Sequence, residues 1–492
     1  MSVHERTALL DIHDVSRHRN DGLSVFFAII CIVDVFGVFP IVALPKAIID
    51  CGYLGIPMII TVCSLQIYTA TLLGKCWLMA DNLYPSIHRK DRYPYSALTE
   101  FTCGKFVAKC VELLLDLTIF GAGIPNLILA SQNVHLLGLR LSNNTFDVSY
   151  CYWIVIMGLL LCPILWLGSP KDMKLLCTIS VVVVSMVFVL ISFCLLFSNT
   201  KEIESEDDTF RPDKPLWETM LTSYGIIAFQ FDIHPSILTI QVDMDEQRKL
   251  PRAVLGGFSA TLCMAAIISI LASIKYGNLV QPSILETLPT SLALHLAAAL
   301  VALQLCLTSA VSNSALYQHM EDCLGISRYF NHKRCILRTI LTLLAIVLAE
   351  SVPRFDLVMS LIGGTLTGPL VFMLPPFLYI KMLSLCKSNE ERMHMETFMK
   401  TAYSTDERGS LLMTTKRYSS RFSEEFNLSV NFIHKSKWLI YDKLQIAFCI
   451  SIIVSSFGMT CLTTYFNVYD VMNFANFSKP CIYNVSASLL YL

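Results

Sequence analysis

An acidic residue lies in the middle of the first long apolar stretch of this chain. The stretch covers residues 24–49; Asp34 stands near its centre, and Gly37 and Pro40 follow closely. Gly weakens a helix and Pro removes a backbone donor, so we predict that the helix breaks just after Asp34. Because charge at membrane depth is costly, an acid that persists there usually faces a cavity, a partner or an ion path. The pattern indicates a binding site; the alternative is a protonated Asp34 that only bonds to a neighbouring backbone group.

A second apolar stretch, residues 216–240, carries the same kind of interruption. Asp232, His234 and Pro235 stand close together within it. An irregular backbone at this point would let the carboxyl and the imidazole turn toward one cavity. A lone histidine in a membrane segment is more often a packing residue with satisfied hydrogen bonds. The neighbouring acid and proline favour a site over that alternative.

Two further groups of polar residues have the spacing of a shared helix face. Four of them lie in the apolar stretch 291–318: Thr308, Ser309, Ser312 and Asn313. That face could coordinate Na⁺ or hydrogen-bond a substrate, and hydrogen bonding between helices is an equally weighted alternative. Glu112 and Asp116 share a face near the start of another stretch, where we predict a wetted vestibule on the cytosolic side.

The elements that must hold these residues are membrane helices. The 492 residues are 54% hydrophobic and 15% charged, with a mean hydropathy of +0.58, and apolar stretches recur along the chain. This composition excludes an ordinary soluble domain and predicts an all-α polytopic membrane protein. We predict eleven spans, at residues 24–49, 54–79, 110–136, 151–167, 174–198, 216–240, 253–275, 291–318, 336–351, 356–380 and 442–466.

The distribution of basic residues orients these spans. With the N-terminus in the cytosol, 29 of the 37 Lys and Arg residues fall on cytosolic segments. Because basic residues concentrate on the cytosolic side, we predict a cytosolic N-terminus and a lumenal or extracellular C-terminus. The glycosylation sequons at Asn143, Asn476 and Asn484 then lie on the outer face, and the sequon at Asn427 lies inside. We expect glycans only on the outer ones.

The two interrupted stretches are five spans apart. Broken helices at corresponding positions of two halves mark substrate and ion sites in transporters. We therefore predict a 5+5 inverted-repeat core with one extra helix. The predicted divisions are a cytosolic tail (1–23), a ten-helix transport core (24–380), a cytosolic loop (381–441), the eleventh helix (442–466) and an outer tail (467–492). We expect no signal peptide before the first span.

Two acidic dileucine motifs lie on the predicted cytosolic segments. They are ERTALL in the tail and ERGSLL in the long loop. Cytosolic sorting adaptors would bind their acidic and leucine residues, which are Glu5, Leu9, Leu10, Glu407, Leu411 and Leu412. Such signals are receptor-read addresses that also arise by chance, so ordinary tail residues are the alternative. We predict a lysosomal, endosomal or vesicular membrane, with the plasma membrane as the second choice.

The 18 cysteines lie mostly in apolar stretches, where Cys acts as a small hydrophobe. Cys51, Cys151 and Cys481 lie near predicted outer ends and could form a disulfide. The sequence has no CxxC pair, no Cys/His metal spacing and no nucleotide motif. We therefore expect no metal, no cofactor and no nucleic-acid partner.

Three stretches of the sequence resemble the amino acid/auxin permease family. They are LPKAIIDCGYLG at residues 44–55, the block from Phe229 to Met244 that contains His234, and the run from Pro353 to Gly368. Within the family, the likeness is to the vesicular inhibitory amino acid transporter and to vacuolar amino acid transporters. The resemblance implies a secondary transporter with the 5+5 inverted-repeat fold, driven by protons or Na⁺. It also implies that substrate binds between the unwound parts of the first and sixth spans.

We predict that the substrate contacts Asp34, Gly37, Val38, Phe229, Asp232 and His234. We predict ion coupling by Asp34 and His234, with the polar face at 308–313 as a further candidate. The chain departs from the family pattern with Asp34 in place of Asn and Val38 in place of Gly. We predict a proton-coupled transporter of amino acids or small amines. The alternatives are a Na⁺-coupled symporter and an amino acid sensor that signals through its cytosolic segments; we expect no enzyme, because no nucleophile–base pair stands out.

Overall fold

The protein is almost entirely helical in the part of the chain that the structure describes. The computed structural model describes residues 22–84, 87, 93–141, 150–167, 173–197, 215–327, 331–352, 354–389 and 419–474. Within these residues, β pairing is limited to one isolated bridge between Leu23 and Met244. The all-α prediction is confirmed.

The described residues form a succession of helices. In chain order they are α1 (Val25–Phe36), α2 (Phe39–Val42), α3 (Leu44–Asp50), α4 (Gly55–Leu83), α5 (Pro94–Cys103), α6 (Lys105–Leu141), α7 (Tyr150–Leu167), α8 (Met173–Phe197), α9 (Leu216–Gln230), α10 (His234–Asp243), α11 (Leu250–Tyr276), α12 (Ile284–Thr287), α13 (Leu292–Cys323), α14 (His332–Ser351), α15 (Phe355–Thr365) and α16 (Ser419–Phe474). After α15 a π-helical segment, Gly368–Met373, leads into the helical residues 374–389.

Most predicted apolar stretches coincide with one helix, while the two stretches with a predicted break, and the stretch 356–380, consist of separate helical pieces. The stretch 24–49 is divided into α1, α2 and α3, and the stretch 216–240 into α9 and α10. In the described part of the chain, seven helices are long and apolar enough to cross a membrane, and Val25–Phe36 and Tyr150–Trp166 are shorter apolar helices. A multi-pass helical membrane protein is therefore confirmed, and the count of eleven spans stays a prediction.

Proline and glycine explain where the broken helices restart and how closely two helices pack. Pro40, Pro45 and Pro235 stand in the first turns of α2, α3 and α10. Backbone N–H groups there have no intrahelical acceptor, so proline costs these helices no hydrogen bond. Gly225 of α9 faces Gly363 of α15 so closely that a Cβ on Gly363 would lie 1.8 Å from the Gly225 carbonyl oxygen. Only glycine permits this crossing, which fixes the sixth predicted span against the tenth.

Several predicted residues lie outside the described residues: Glu5, Leu9, Leu10, Asn143, Glu407, Leu411, Leu412, Asn476, Cys481 and Asn484. Cys151 is disulfide-bonded, whereas Cys51 is a free, buried thiol. Helix α16 begins at Ser419, inside the predicted loop 381–441. Residues 419–441 contain neither Gly nor Pro, so nothing in that segment stops a helix from preceding the apolar stretch.

Candidate functional site

The first break lies where the sequence predicts it. Helix α1 ends at Phe36, Gly37 adopts φ 59° and ψ −145°, and α2 begins at Phe39. This conformation at Gly37 is one that L side chains rarely adopt. Gln304 of α13 lies directly opposite, since a Cβ on Gly37 would be 2.9 Å from its Nε2 atom. The break therefore faces the amide of Gln304.

Asp34 lies in the last turn of α1, just before this break. Its side chain is 1% exposed, and neither carboxyl oxygen has a hydrogen-bond partner within the described residues. Ser180 and Cys177 of α8 lie beside it. The last turn of a helix presents carbonyl oxygens and the negative end of the helix dipole. The end of α1 therefore offers Asp34 no backbone donor, and this position favours a proton or a cation.

A small polar cluster connects Asp34 to helix α13. The Nε2 atom of Gln304 donates to Ser180 Oγ at 3.3 Å and to Thr308 Oγ1 at 2.6 Å. The Oε1 atom of Gln304 is buried and has no partner in the described part of the chain. The structure thus brings the predicted residues Asp34, Gly37 and Thr308 together. Ser180 and Gln304 complete the cluster, and sequence reasoning missed both.

The other polar residues of the α13 face do not all lie at this cluster. Ser309 is buried, Ser312 is half-buried, and Asn313 packs against Gly123 of α6, where an added Cβ would be 3.3 Å from Asn313 Nδ2. The packing of Asn313 agrees with the alternative reading of this face, in which polar groups join helices. Thr308 is the member of the face that contacts the Asp34 cluster.

The second break is organised by Asp232. Its Oδ1 atom accepts a hydrogen bond from the backbone N–H of His234 at 3.1 Å, and Thr367 Oγ1 donates to its Oδ2 at 3.4 Å. His234 is the first residue of α10, whose N–H has no intrahelical acceptor. The imidazole is fully buried, with Nε2 3.1 Å from Thr69 Oγ1 of α4. The predicted pair thus forms one unit, which α4 and Thr367 hold in place.

The contacts that join the two breaks are aromatic. Phe36 packs edge-on against Phe231, with ring centroids 5.3 Å apart, and both contact Phe258 of α11. Phe39 contacts the predicted site residue Phe229 at 6.1 Å. Val38 is buried between the helices. Aromatic contacts therefore connect the two breaks, while Asp34 and His234 lie in separate polar clusters.

Comparison with known protein families identifies the family of this chain. The model of the family described as "Transmembrane amino acid transporter protein" matches residues 23–404, which include both breaks. The chain belongs to this transmembrane amino acid transporter family. The recognition made from the sequence is confirmed, and so is the expectation of a transporter rather than an enzyme.

The relatives of this family member are distant in sequence. Amino acid transporter AVT1J of Arabidopsis thaliana is 23% identical over 352 residues, which cover 69% of this chain and 78% of that protein. The vesicular inhibitory amino acid transporter of Rattus norvegicus is 24% identical over 368 residues, covering 70% and 66%. Among solved structures, MhsT in complex with L-phenylalanine matches with a TM-score of 0.47 at 14% identity, over 71% of this chain and 89% of that one. The last likeness is too distant to carry an argument about this chain.

Sequence reasoning did not identify one polar residue at the second break of this family member. Gln230, the last residue of α9, is 3% exposed, and both of its amide atoms lack a partner within the described residues. A buried amide without partners carries a desolvation cost that a polar ligand removes. The available signal was an amide in an apolar stretch, two residues before Asp232.

The predicted cytosolic vestibule contains a compact acidic cluster. Ser96 Oγ of α5 donates to Glu112 Oε1 at 2.5 Å, and His319 Nδ1 of α13 lies 2.6 Å from Asp116 Oδ2. His319 Nε2 is also 3.9 Å from Glu112 Oε2. Both acids are half-buried, as expected for a vestibule, and His319 is the partner that sequence reasoning missed.

Proposed function

We propose that this chain is a proton-coupled secondary transporter of amino acids or related small amines, with eleven spans and a 5+5 inverted-repeat core. Membership of the transmembrane amino acid transporter family supports the substrate class. The two broken helices support the architecture, because such breaks mark midplane binding sites. The coupling rests on one observation: the Asp34 carboxyl is buried and lacks a hydrogen-bond partner among the described residues.

Asp34 offers a simple physical basis for coupling. A buried carboxylate is costly unless a cation or donors compensate its charge, whereas a protonated carboxyl costs far less. A proton and the ammonium group of a substrate both compensate that charge. Proton binding at Asp34 then depends on substrate and on which side of the membrane is open, and this dependence is a coupling free energy. In the proposal His234, held by Thr69, tunes the pH dependence from the second break.

A Na⁺-coupled symporter is the second candidate. It is favoured by the oxygen atoms of the polar cluster that adjoins Asp34. They are the Oε1 of Gln304, which has no partner within the described residues, and the hydroxyls of Ser180 and Thr308. Oxygen ligands are those that hard cations take in proteins. The two candidate functions therefore differ in which ion, H⁺ or Na⁺, binds at Asp34.

The proposed orientation places the N-terminus in the cytosol and the C-terminus in a lumen or outside the cell. It is supported by the basic-residue count and by the disulfide at Cys151, next to the start of α7 on the proposed outer face, since disulfides persist in oxidising compartments. Gel shifts of single-sequon variants test the orientation; a glycan at Asn427 would overturn it.

We propose that the protein resides in a lysosomal, endosomal or vesicular membrane, to which sorting adaptors that bind the two dileucine motifs would direct it.

The experiment that tests the function is a transport screen with the purified full-length protein in proteoliposomes. Amino acids and small amines are offered under an imposed pH gradient, an imposed Na⁺ gradient, or neither. We expect accumulation of a subset of amines with the pH gradient alone. Accumulation that needs Na⁺ favours the symporter, and binding without flux under any gradient favours a sensor; either result overturns proton-coupled transport.

A further inference from the structure

The connection between α11 and α13 is packed into the protein rather than lying loosely on its surface. It spans residues 277–291 and carries the short helix α12. Ile284, Leu285 and Leu288 are each at most 1% exposed and belong to a core cluster with residues of α6, α8 and α13. Most connections are exposed and mobile, so such burial is unusual. This segment, which we call the outer strap, covers the proposed outer ends of these helices.

One ionisable side chain of the strap, Glu286, meets a buried amide of α6. Gln132 Nε2 donates to Glu286 Oε1. The Oε1 atom of Gln132 is buried and has no partner within the described residues. A protonated carboxyl can donate to that oxygen while it accepts from the amide nitrogen, which makes a two-bond acid–amide pair. An ionised carboxylate only accepts, so it leaves Gln132 Oε1 unsatisfied.

Charged groups on the neighbouring helices act on Glu286 in opposite directions. Burial and the negative charge of Asp356 on α15 raise the pKa of Glu286 to about 7, against the opposing effects of Gln132 and Arg140 of α6. Asp356 is itself 2.6 Å from Arg354 Nη2. The other titratable groups that face this region are Tyr150 of α7, whose pKa Glu286 affects, and His295 of α13, which lines a small cavity with Arg140 and Leu285.

We propose that Glu286 and Gln132 form a proton-binding site, distinct from the Asp34 cluster, that holds the outer strap closed when occupied. Arg140 strengthens the closure through its Nη2, which donates to the Leu288 carbonyl oxygen at 3.5 Å. Loss of the proton removes one of the two bonds of the pair and sets the Glu286 charge against that of Asp356. The strap is then released from α6.

The direction of the pH effect follows from the raised pKa. The native state holds the Glu286 proton more tightly than an unfolded chain, in which the carboxyl has the ordinary value of 4.5. The stabilisation is therefore fully present below 4.5 and is lost as the pH rises through about 7. The strap is closed in an acidic compartment and loosens near neutral pH. This behaviour is independent of whether Asp34 couples transport to protons.

A spectroscopic titration of the purified full-length protein tests the proton site directly. The carbonyl stretch of protonated carboxyl groups is followed by difference infrared spectroscopy between about pH 4 and pH 9. We expect a band that titrates near neutral pH and disappears in Glu286→Gln. Asp356→Asn removes a negative neighbour and lowers the midpoint, whereas Arg140→Gln removes a positive neighbour and raises it. Parent and Glu286→Gln spectra that titrate identically, or midpoints that do not move apart, would overturn the proposal.

Hydrogen exchange tests the closure of the strap. We expect the amides of residues 277–291, corrected for intrinsic exchange, to lose protection between about pH 5 and pH 8 in the parent. Glu286→Gln keeps a neutral side chain that both donates and accepts, so its strap stays protected at both pH values. Glu218→Gln, at the start of α9 on the same proposed face, is the matched control and behaves like the parent. Protection that does not change with pH in the parent contradicts the proposal.

Discussion

The two helix breaks look alike in the sequence, yet their acids are held differently. Asp232 accepts hydrogen bonds at both carboxyl oxygens, from the His234 backbone and from Thr367. Asp34 accepts none within the described residues, although it is buried and Asp232 is only half-buried. Asp232 precedes a helix N-terminus, where N–H groups need acceptors, and Asp34 ends a helix, where carbonyls repel it. Asp232 therefore organises its break, whereas Asp34, in our proposal, is available for a proton or a cation.

The largest effect is expected from removing the charge of Asp34. Asp34→Asn keeps the shape and restores the residue that the family commonly has. It should lower steady-state accumulation by about tenfold or more, a typical size for a lost coupling free energy. Accumulation in proteoliposomes under a pH gradient measures this. Asp50→Asn, at the end of α3 and paired with Lys46 at 2.8 Å, is the control and should accumulate substrate normally.

At the first break, alanine at Gly37 can be compared with alanine at Gly52, a glycine outside the site. Gly37→Ala and Gly52→Ala both place a side chain at a φ near +57°, with 59° and 55° in the parent, at a cost of about 1–2 kcal/mol each. Only Gly37→Ala also meets Gln304, at 2.9 Å; Gly52 has nothing within 4 Å. Thermal unfolding should show a loss of stability in both variants, and the loss should be larger in Gly37→Ala. Transport should fail only in Gly37→Ala, and equal transport would contradict the site.

At the second break, the hydrogen bond and the charge of Asp232 can be separated. Asp232→Asn keeps the acceptor for the His234 N–H, so its stability should stay close to that of the parent. Asp232→Ala leaves that N–H without an acceptor and should lose about 1–3 kcal/mol, the usual cost of a buried donor without a partner. Thermal unfolding measures both. If Asp232→Asn loses gradient-driven accumulation as Asp34→Asn does, the distinction between the two acids is wrong.

Local sequence signals were enough to predict both breaks, because Gly and Pro act on the backbone where they stand. They did not reveal Ser180, which lies beside Asp34, or Gln304, which bonds to Ser180, since α8 and α13 bring these residues there only when they pack against α1. The organising role of Asp232 could have been predicted: an acid two residues before His234, with Pro235 in the first turn, is a helix-start pattern. The unpartnered state of Asp34 is a tertiary property, and a single sequence carries no record of it.

The smallest effect is expected at His234. Its Nε2 contacts Thr69 and its Nδ1 lies 3.6 Å from Asp232 Oδ1. His234→Ala removes the imidazole between these groups and should shift the pH profile of uptake without abolishing expression. Thr69→Val removes only the hydroxyl and should produce a smaller shift in the same profile. Unchanged profiles in both variants would limit His234 to packing.

The most direct test of the account is to follow protons and substrate together. Proteoliposomes that contain the purified protein and a trapped pH-sensitive dye receive a substrate found by the screen, without an imposed gradient. We expect the parent to change the internal pH only when substrate is added. Asp34→Asn should bind the substrate, measured by its protection against thermal unfolding, and leave the internal pH unchanged. Substrate-dependent proton movement of parental size in Asp34→Asn would contradict the assignment of coupling to Asp34.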